Sequence, residues 1–399
     1  MAERLRVALV SDGLYPFFAG GKEVRLWELA RRLAPCEVAL EVHTMRWWAD
    51  GESVPEWQGI PLRAVCRRWE MYTGPRRSIW QAVMFALGSL RLAATRADVV
   101  DADHMPYLHL PPLWLVSRLK RVPLVVTWHE WWGSDYWAEY LGPIGRVSAA
   151  IEKLSARCAD HIVVDSPETL ERLRRQGILP ERMSLVPLGA DLESIAAVPP
   201  AASHWDILYA GRLLRHKRVD VLLDAIALLR GEGREVRCMV VGSGPEEDRL
   251  KEKAAGLGLT GVSFARALPQ QADVWALMKS SRVFAYPSIR EGFGLALIEA
   301  QAAGATVVTT DHPDNHGRLL IDHGSTGYIC GNGPEDLAAA LALALDSPAR
   351  PDDLEAHVGR YSWGPRAEQL ATVYRNVADS ALARGRSLKS PKRRRGVRS

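Results

Sequence analysis

Two glutamates eight residues apart, in the run Glu291-Gly-Phe-Gly-Leu-Ala-Leu-Ile-Glu299, constrain this chain more than any other feature. The run follows the apolar stretch Ser281–Tyr286, which reads as a buried strand. It leads into Ala300-Gln-Ala-Ala-Gly304, which reads as a helix closed by glycine. Gly292 and Gly294 therefore fall where a strand turns into a helix. Such a junction offers an anion free backbone N–H groups and the positive end of the helix dipole. Glu299 lies about one and a half turns further along the helix. An anion site with hydroxyl acceptors on either side suits a phosphorylated sugar or a nucleotide sugar. The plain alternative is a capped helix packed on a sheet.

The surrounding pattern is α/β. Buried strands are expected at 5–11, 38–44, 97–101, 124–128, 161–165 and 183–187, with a helix at 22–34 and further helices between the later strands. A small-residue and proline stretch, 195–203, reads as a linker. A second alternating set follows, with strands at 206–210, 236–241, 261–265, 282–286 and 305–309. Alternating strands and helices imply parallel sheets covered on both faces. The expected architecture is two doubly wound Rossmann-like domains facing across a cleft, with ligands at the carboxyl ends of the strands. The domains are expected at 1–197 and 204–360. A helix at 361–383 would pack back across them, and a basic tail would follow at 384–399.

The second half opens with Tyr209-Ala-Gly-Arg-Leu-Leu-Arg-His-Lys-Arg-Val-Asp220. Arg212 ends a strand and Lys217 begins a helix. Two cations at such a junction suit a diphosphate whose charge grows as a sugar leaves it; the bland reading is a basic helix end. Gly242 and Gly244 follow the next strand, in a turn or against a ligand. In the first half, Gly20-Gly21 closes the loop after strand one, and Glu23 after Lys22 excludes a phosphate-binding Walker loop. Thr127-Trp-His-Glu-Trp-Trp-Gly133 lacks the second histidine of a zinc helix motif. His129 in it follows a buried strand and should point into the ligand region. Trp128, Trp131, Trp132 and Trp137 serve either as core or as stacking faces for an acceptor. Asp101-Ala-Asp103 mimics a metal-binding pair, but no metal is expected, because the cations already answer the diphosphate. Ser166-Pro-Glu-Thr169 reads as a helix start.

Together the Gly-Gly loop, the histidine strand, the Gly-Arg-x4-Lys segment and the paired glutamates resemble the family-four retaining glycosyltransferases, in order, over roughly residues 5–380. The resemblance implies the fold known as GT-B and a catalytic set of His129, Arg212, Lys217 and Glu291. It implies that Arg212 and Lys217 clamp the donor pyrophosphate, aided by N–H groups at Gly294 and Leu295. Glu299 would accept hydrogen bonds from the ribose, Glu291 would hold sugar hydroxyls, and His129 would contact the transferred sugar. Gly20, Gly21, Gly242 and Phe293 would complete the donor surface. Arg218 departs from the pattern, standing where glycine is usual. Gln301 and Ala305 replace methionine and proline, and Leu319 stands where glutamate is common.

The expected activity is therefore metal-independent, retaining transfer from a nucleotide sugar to an unidentified acceptor hydroxyl. The alternatives are a sugar-nucleotide epimerase or hydrolase of the same fold and an inactive nucleotide-sugar binding protein. No cofactor and no nucleic acid partner are expected.

Charge places one further feature. The chain carries a formal +4 over 399 residues, but the segment from Arg384 holds eight basic residues and no acidic one. Setting these aside leaves 43 basic residues against 47 acidic ones. The tail is expected to be disordered, either simply solvated or in contact with an anionic membrane surface. The start lacks the long apolar core of a signal peptide, and five scattered cysteines fit reduced core thiols. A cytoplasmic enzyme is expected, with the tail able to bring it to the inner face of a membrane.

Overall fold

The apolar runs after Leu5 and Trp205 become the central strands of two parallel sheets. The computed structural model describes residues 4–389 apart from 19, 50–56, 58 and 75, with side chains through 383. Contacts divide the chain into two units, Met1–Pro187 with Gly364–Ser399, and Leu188–Trp363.

The first unit contains β1 (Leu5–Val10), α1 (Gly21–Leu33), β2 (Val38–Arg46), β3 (Leu62–Arg67) and a small hairpin of β4 (Tyr72–Thr73) and β5 (Arg76–Arg77). It continues with α2 (Ile79–Ser89), β6 (Val99–Asp103), α3 (Leu110–Lys120), β7 (Leu124–Trp128), α4 (Gly133–Leu141) and α5 (Gly145–Cys158). Then come β8 (His161–Val164), α6 (Pro167–Arg175) and β9 (Met183–Leu185). The seven-stranded sheet has the order β3-β2-β1-β6-β7-β8-β9, with every pairing parallel. Its inner strands are mainly apolar because helices cover both faces, with Asp101 and Asp103 as buried exceptions at the end of β6. Val7–Val10 and Leu124–Val126 are all buried. Ser166 caps α6 by accepting from the Thr169 N–H at 3.2 Å.

The second unit contains α7 (Leu192–Ala197), β10 (Trp205–Ala210), α8 (Val219–Gly231), β11 (Cys238–Val241), α9 (Glu247–Gly256), β12 (Val262–Ala265) and α10 (Gln271–Lys279). It continues with β13 (Ser281–Tyr286), α11 (Leu295–Ala302), β14 (Thr306–Thr310), β15 (Gly327–Cys330), α12 (Pro334–Asp346) and α13 (Pro351–Val358). The parallel sheet runs β12-β11-β10-β13-β14-β15. In each unit the strand order reverses beside the first strand, between β1 and β6 and between β10 and β13. Crevices at such points, outside the carboxyl ends of the strands, are where open α/β sheets collect ligands.

Three boundaries differ from the sequence expectation. Residues 195–203 are no free linker, because Ile195 is fully buried and α7 packs on α10 and α11. The Lys279 ammonium also donates to the carbonyls of Ala196 and Val198, at 2.9 and 2.7 Å. The second unit therefore begins at Leu188. The last helix, α14 (Trp363–Lys389), belongs with the first unit. Gln369 donates to the Leu185 carbonyl at 2.7 Å, and the Tyr374 hydroxyl bonds the Asp101 carboxyl. This helix also extends through residues 384–389, expected to be disordered. Good helix formers there, among them Leu388 and Lys389, continue the preceding turns. The rest of the expected tail, 390–399, lies outside the described residues.

No helix among the described residues is long and apolar enough to cross a membrane. All five cysteines are free thiols.

Candidate functional site

In the second unit, the chain leaves β10 at Ala210 and places Arg212 on the surface. The Arg212 backbone carbonyl accepts from the Tyr209 hydroxyl at 2.9 Å. A single turn, Arg215–Lys217, ends on Arg218 in the left-handed conformation, φ +54°. Arg218 then caps α8, which explains why glycine suits this position: a side chain there is strained.

Lys217 is buried. Its ammonium donates to the Tyr286 hydroxyl at 2.9 Å, pairs with the Glu291 carboxylate and lies 4.9 Å from the centre of the Tyr286 ring. Tyr286 stacks on Tyr209 at 5.8 Å. Burial, with Glu291 beside it, holds the Tyr286 hydroxyl well above its ordinary pKa, so it stays protonated. Burial and the Lys217 charge push neighbouring His216 down to about 4, leaving it neutral near pH 7.

Glu291 is pinned through its backbone, donating to the Asp314 carbonyl at 2.9 Å and accepting from the His316 N–H at 3.0 Å. Gly294 then turns at φ +95°, with Gly317 Cα only 3.1 Å from where a Cβ would sit. Phe293 is buried, and Leu295 opens α11. Helix geometry leaves the N–H groups of Leu295 and Ala296 without intrahelical acceptors. Glu299, also buried, accepts from the Gln271 side chain at 3.2 Å. Gly242 serves backbone packing: a Cβ on it would stand 1.9 Å from the Gly211 carbonyl oxygen. Arg212, Lys217, Glu291 and Gly294 thus all follow the carboxyl ends of the central strands β10 and β13.

The first unit holds a second polar cluster, where β1, β6 and β7 end. Asp12 is fully buried and bound by the Lys22 ammonium at 2.9 Å and the Arg77 guanidinium at 2.8 Å. Lys22 also reaches Asp103 at 3.3 Å, and the Ser11 hydroxyl donates to Asp103 at 2.7 Å. His129 lies between two carboxylates, with Nδ1 2.8 Å from Asp165 and Nε2 3.3 Å from Asp103. Burial alone would lower its pKa. The hydrogen bonds and charges of Asp103 and Asp165 outweigh this and raise it to about 9. Asp103 is depressed despite burial, because Lys22 and His129 surround it.

Gly20 is extended at φ −149° and Gly21 is the first residue of α1, so neither uses a left-handed conformation. A Cβ on Gly20 would meet the buried Glu23 carboxylate at 2.5 Å, whereas nothing lies within 4 Å of one on Gly21.

Several residues here lay outside the sequence reading. Asp103 was set aside with Asp101 as a mimic, yet it bridges Lys22 and His129. Asp101 bonds Tyr374 and Thr127 instead, and burial raises its carboxyl to about 7. Among the described residues no group of His, Cys, Asp or Glu is arranged to hold a metal ion. Trp128, Trp131 and Trp137 are core, not exposed stacking faces, and Trp132 is half-buried. Beneath them Glu152, fully buried, accepts from the N–H groups of Trp132, Gly133 and the Trp137 indole, each at 2.9 Å. Its signal is not local, since its partners sit 15 to 20 positions away.

The comparisons with known proteins give the family and the fold. Residues 19–194 match the family model described as Glycosyltransferase Family 4, and residues 193–361 match that described as Glycosyl transferases group 1. The chain is 31% identical over 431 residues to a D-inositol 3-phosphate glycosyltransferase of Kineococcus radiotolerans, covering 95% of this chain and 97% of that one. It is 28% identical over 393 residues to the enzyme of that name from Thermobispora bispora, covering 89% and 90%. Among solved structures it resembles Anabaena HepE in complex with UDP and glucose. The TM-score there is 0.70 at 19% identity, over 94% of this chain and 100% of that one, a likeness of fold.

Proposed function

Because the chain belongs to glycosyltransferase family 4, with its GT-B fold of two Rossmann-like domains, we propose that it is a retaining, metal-independent transferase using a nucleotide diphosphate sugar. The observation that carries this reading is the buried Lys217 held by Tyr286 and Glu291, beside exposed Arg212. Lys217, Arg212 and the N–H groups that open α11 put positive charge where a leaving diphosphate would gather it. The bond from the anomeric carbon to the diphosphate breaks, and a bond to the acceptor oxygen forms on the same face. The acceptor proton passes to the leaving phosphate. Glu291 holds sugar hydroxyls and Glu299 the ribose. His129, Gly20 and Gly21 keep the roles that the resemblance implies.

A UDP-sugar is the first donor to try, since the Anabaena structure binds UDP. An inositol phosphate is the first acceptor to try, since the relatives carry that activity in their names. The test is a panel of UDP-, GDP- and ADP-sugars, read first by thermal stabilisation and then by release of nucleoside diphosphate. A donor at about 100 times its Kd adds about 2.7 kcal/mol to stability. Stabilisation without turnover against any acceptor would favour a binding protein. Conversion of one sugar nucleotide into another would favour an epimerase.

A further inference from the structure

We propose that the outward face of α2, α3 and α5 docks this protein onto a bilayer surface rich in anionic lipid headgroups. The three helices pack side by side, α2 on α3 and α3 on α5. In α2 the sequence Ile-Trp-Gln-Ala-Val-Met-Phe-Ala-Leu-Gly-Ser carries no charge at all, a pattern normally found in helices buried all round. Yet Ile79, Trp80 and Leu87 face outward, with Trp80 58% exposed. The neighbouring α3 exposes Trp114, Leu115 and Leu119, the last at 76%. Helix α5 exposes Val147 and Leu154. Large apolar side chains scattered singly need no partner; several exposed on three helices that pack side by side mark a docking surface.

Charge selects the occupant. The segments 76–96, 110–121 and 145–158 contain ten basic residues and one acidic one, Glu152. That glutamate is fully buried under the tryptophan loop, so the exposed charge of this face is positive. Arg91, Arg121, Arg146, Lys153 and Arg157 are all exposed, and exposed Arg118 pairs with Asp160 at 3.0 Å. Apolar and indole side chains rimmed by Arg and Lys match the boundary between acyl chains and anionic headgroups, where long basic side chains reach up to phosphate. A second copy of this chain is disfavoured, since a two-fold contact would press the same positive face against itself. This surface differs from the basic tail and does not depend on the donor reading.

The test is co-sedimentation of the full chain with large vesicles of phosphatidylcholine, with and without about one-third phosphatidylglycerol, at low and high salt. The protein should bind the phosphatidylglycerol vesicles and bind pure phosphatidylcholine at least about tenfold more weakly. The variant Trp80→Glu with Leu119→Glu should lose at least about tenfold in affinity, at an unchanged melting temperature, since both positions are exposed. Should that pair fail to fold, Arg146→Glu with Lys153→Glu should show a similar loss. A chain ending at Lys389 should still bind. The proposal is overturned if the wild type does not bind, if a folded face variant binds as the wild type does, or if removing residues 390–399 abolishes binding. It is also overturned if the wild type forms a dimer that Trp80→Glu with Leu119→Glu dissolves, which would assign the face to a second copy.

Discussion

Lys217 and Glu291, 74 positions apart in the chain, form one buried ion pair, with the Tyr286 hydroxyl as a second acceptor for the lysine. The residue expected to neutralise a diphosphate and the residue expected to hold sugar hydroxyls therefore fix each other. A buried pair of this kind orients its members more than it stabilises the fold, because desolvation offsets much of the attraction.

The first prediction follows from that orientation. Lys217→Ala and Arg212→Ala should each lower kcat/KM by about 100- to 1,000-fold, the loss typical of removing a donor from a developing anion. Steady-state release of nucleoside diphosphate measures it. Lys217→Ala should also lower the melting temperature, because it strands Glu291, whereas exposed Arg212→Ala should not. Near-normal turnover in either variant contradicts the clamp.

Arg218 gives a prediction of opposite sign. Its φ of +54° is costly for any residue with a Cβ. Arg218→Gly should leave turnover within about twofold and raise stability by up to about 1 kcal/mol, the strain relieved less the entropy glycine adds to the unfolded chain. Differential scanning calorimetry decides it, and a lower melting temperature would show that the arginine side chain matters more than its backbone strain.

His129 carries the pH prediction. Its folded pKa of about 9 exceeds the ordinary 6.5. A raised folded pKa contributes stability that is fully present below the unfolded value and is lost as pH rises through the folded one. The melting temperature of the wild type, relative to His129→Gln, should therefore fall between about pH 6 and about pH 9.5. A pH-independent difference would mean that Asp103 and Asp165 do not hold a charged imidazole.

Glu152 is predicted to hold the tryptophan loop in place. Glu152→Ala leaves the N–H groups of Trp132, Gly133 and Trp137 without their acceptor. Each buried group left unpaired costs about 1–3 kcal/mol, so the loss should reach about 3 kcal/mol or more. Urea unfolding measures it, and a cost below about 1 kcal/mol would mean that water replaces the carboxylate.

The strands that lie between neighbours, such as Leu124–Trp128 and Ser281–Tyr286, were legible because burial on both faces favours apolar runs such as 124–126 and 283–286. Of the edge strands, Met183–Leu185 and Val262–Ala265 fall within expected spans, but β3 and β15 were missed. Leu62–Arg67 holds only three apolar residues between its two arginines, and Gly327–Cys330 has only four positions. Lys217, Glu291 and Glu299 stood out because strand-to-helix junctions carry chemistry and their spacing is local. Tyr286 did not, since an aromatic residue ending a strand looks like core until the lysine is placed over it. The bridging role of Asp103 was not legible from its spacing to Asp101. Only the fold brings Lys22, 81 positions away, within reach of it.

The most direct test of the central claim is the anomeric configuration of the first-formed product, read by proton NMR in excess EDTA. Wild-type enzyme is given the sugar nucleotide that stabilises it and an acceptor that accelerates release of nucleoside diphosphate. The account predicts a product with the donor's own anomeric configuration, formed at the rate seen without chelator. The opposite anomer would contradict retention, and activity lost in EDTA and restored by magnesium or manganese would contradict a diphosphate held by Arg212, Lys217 and the start of α11.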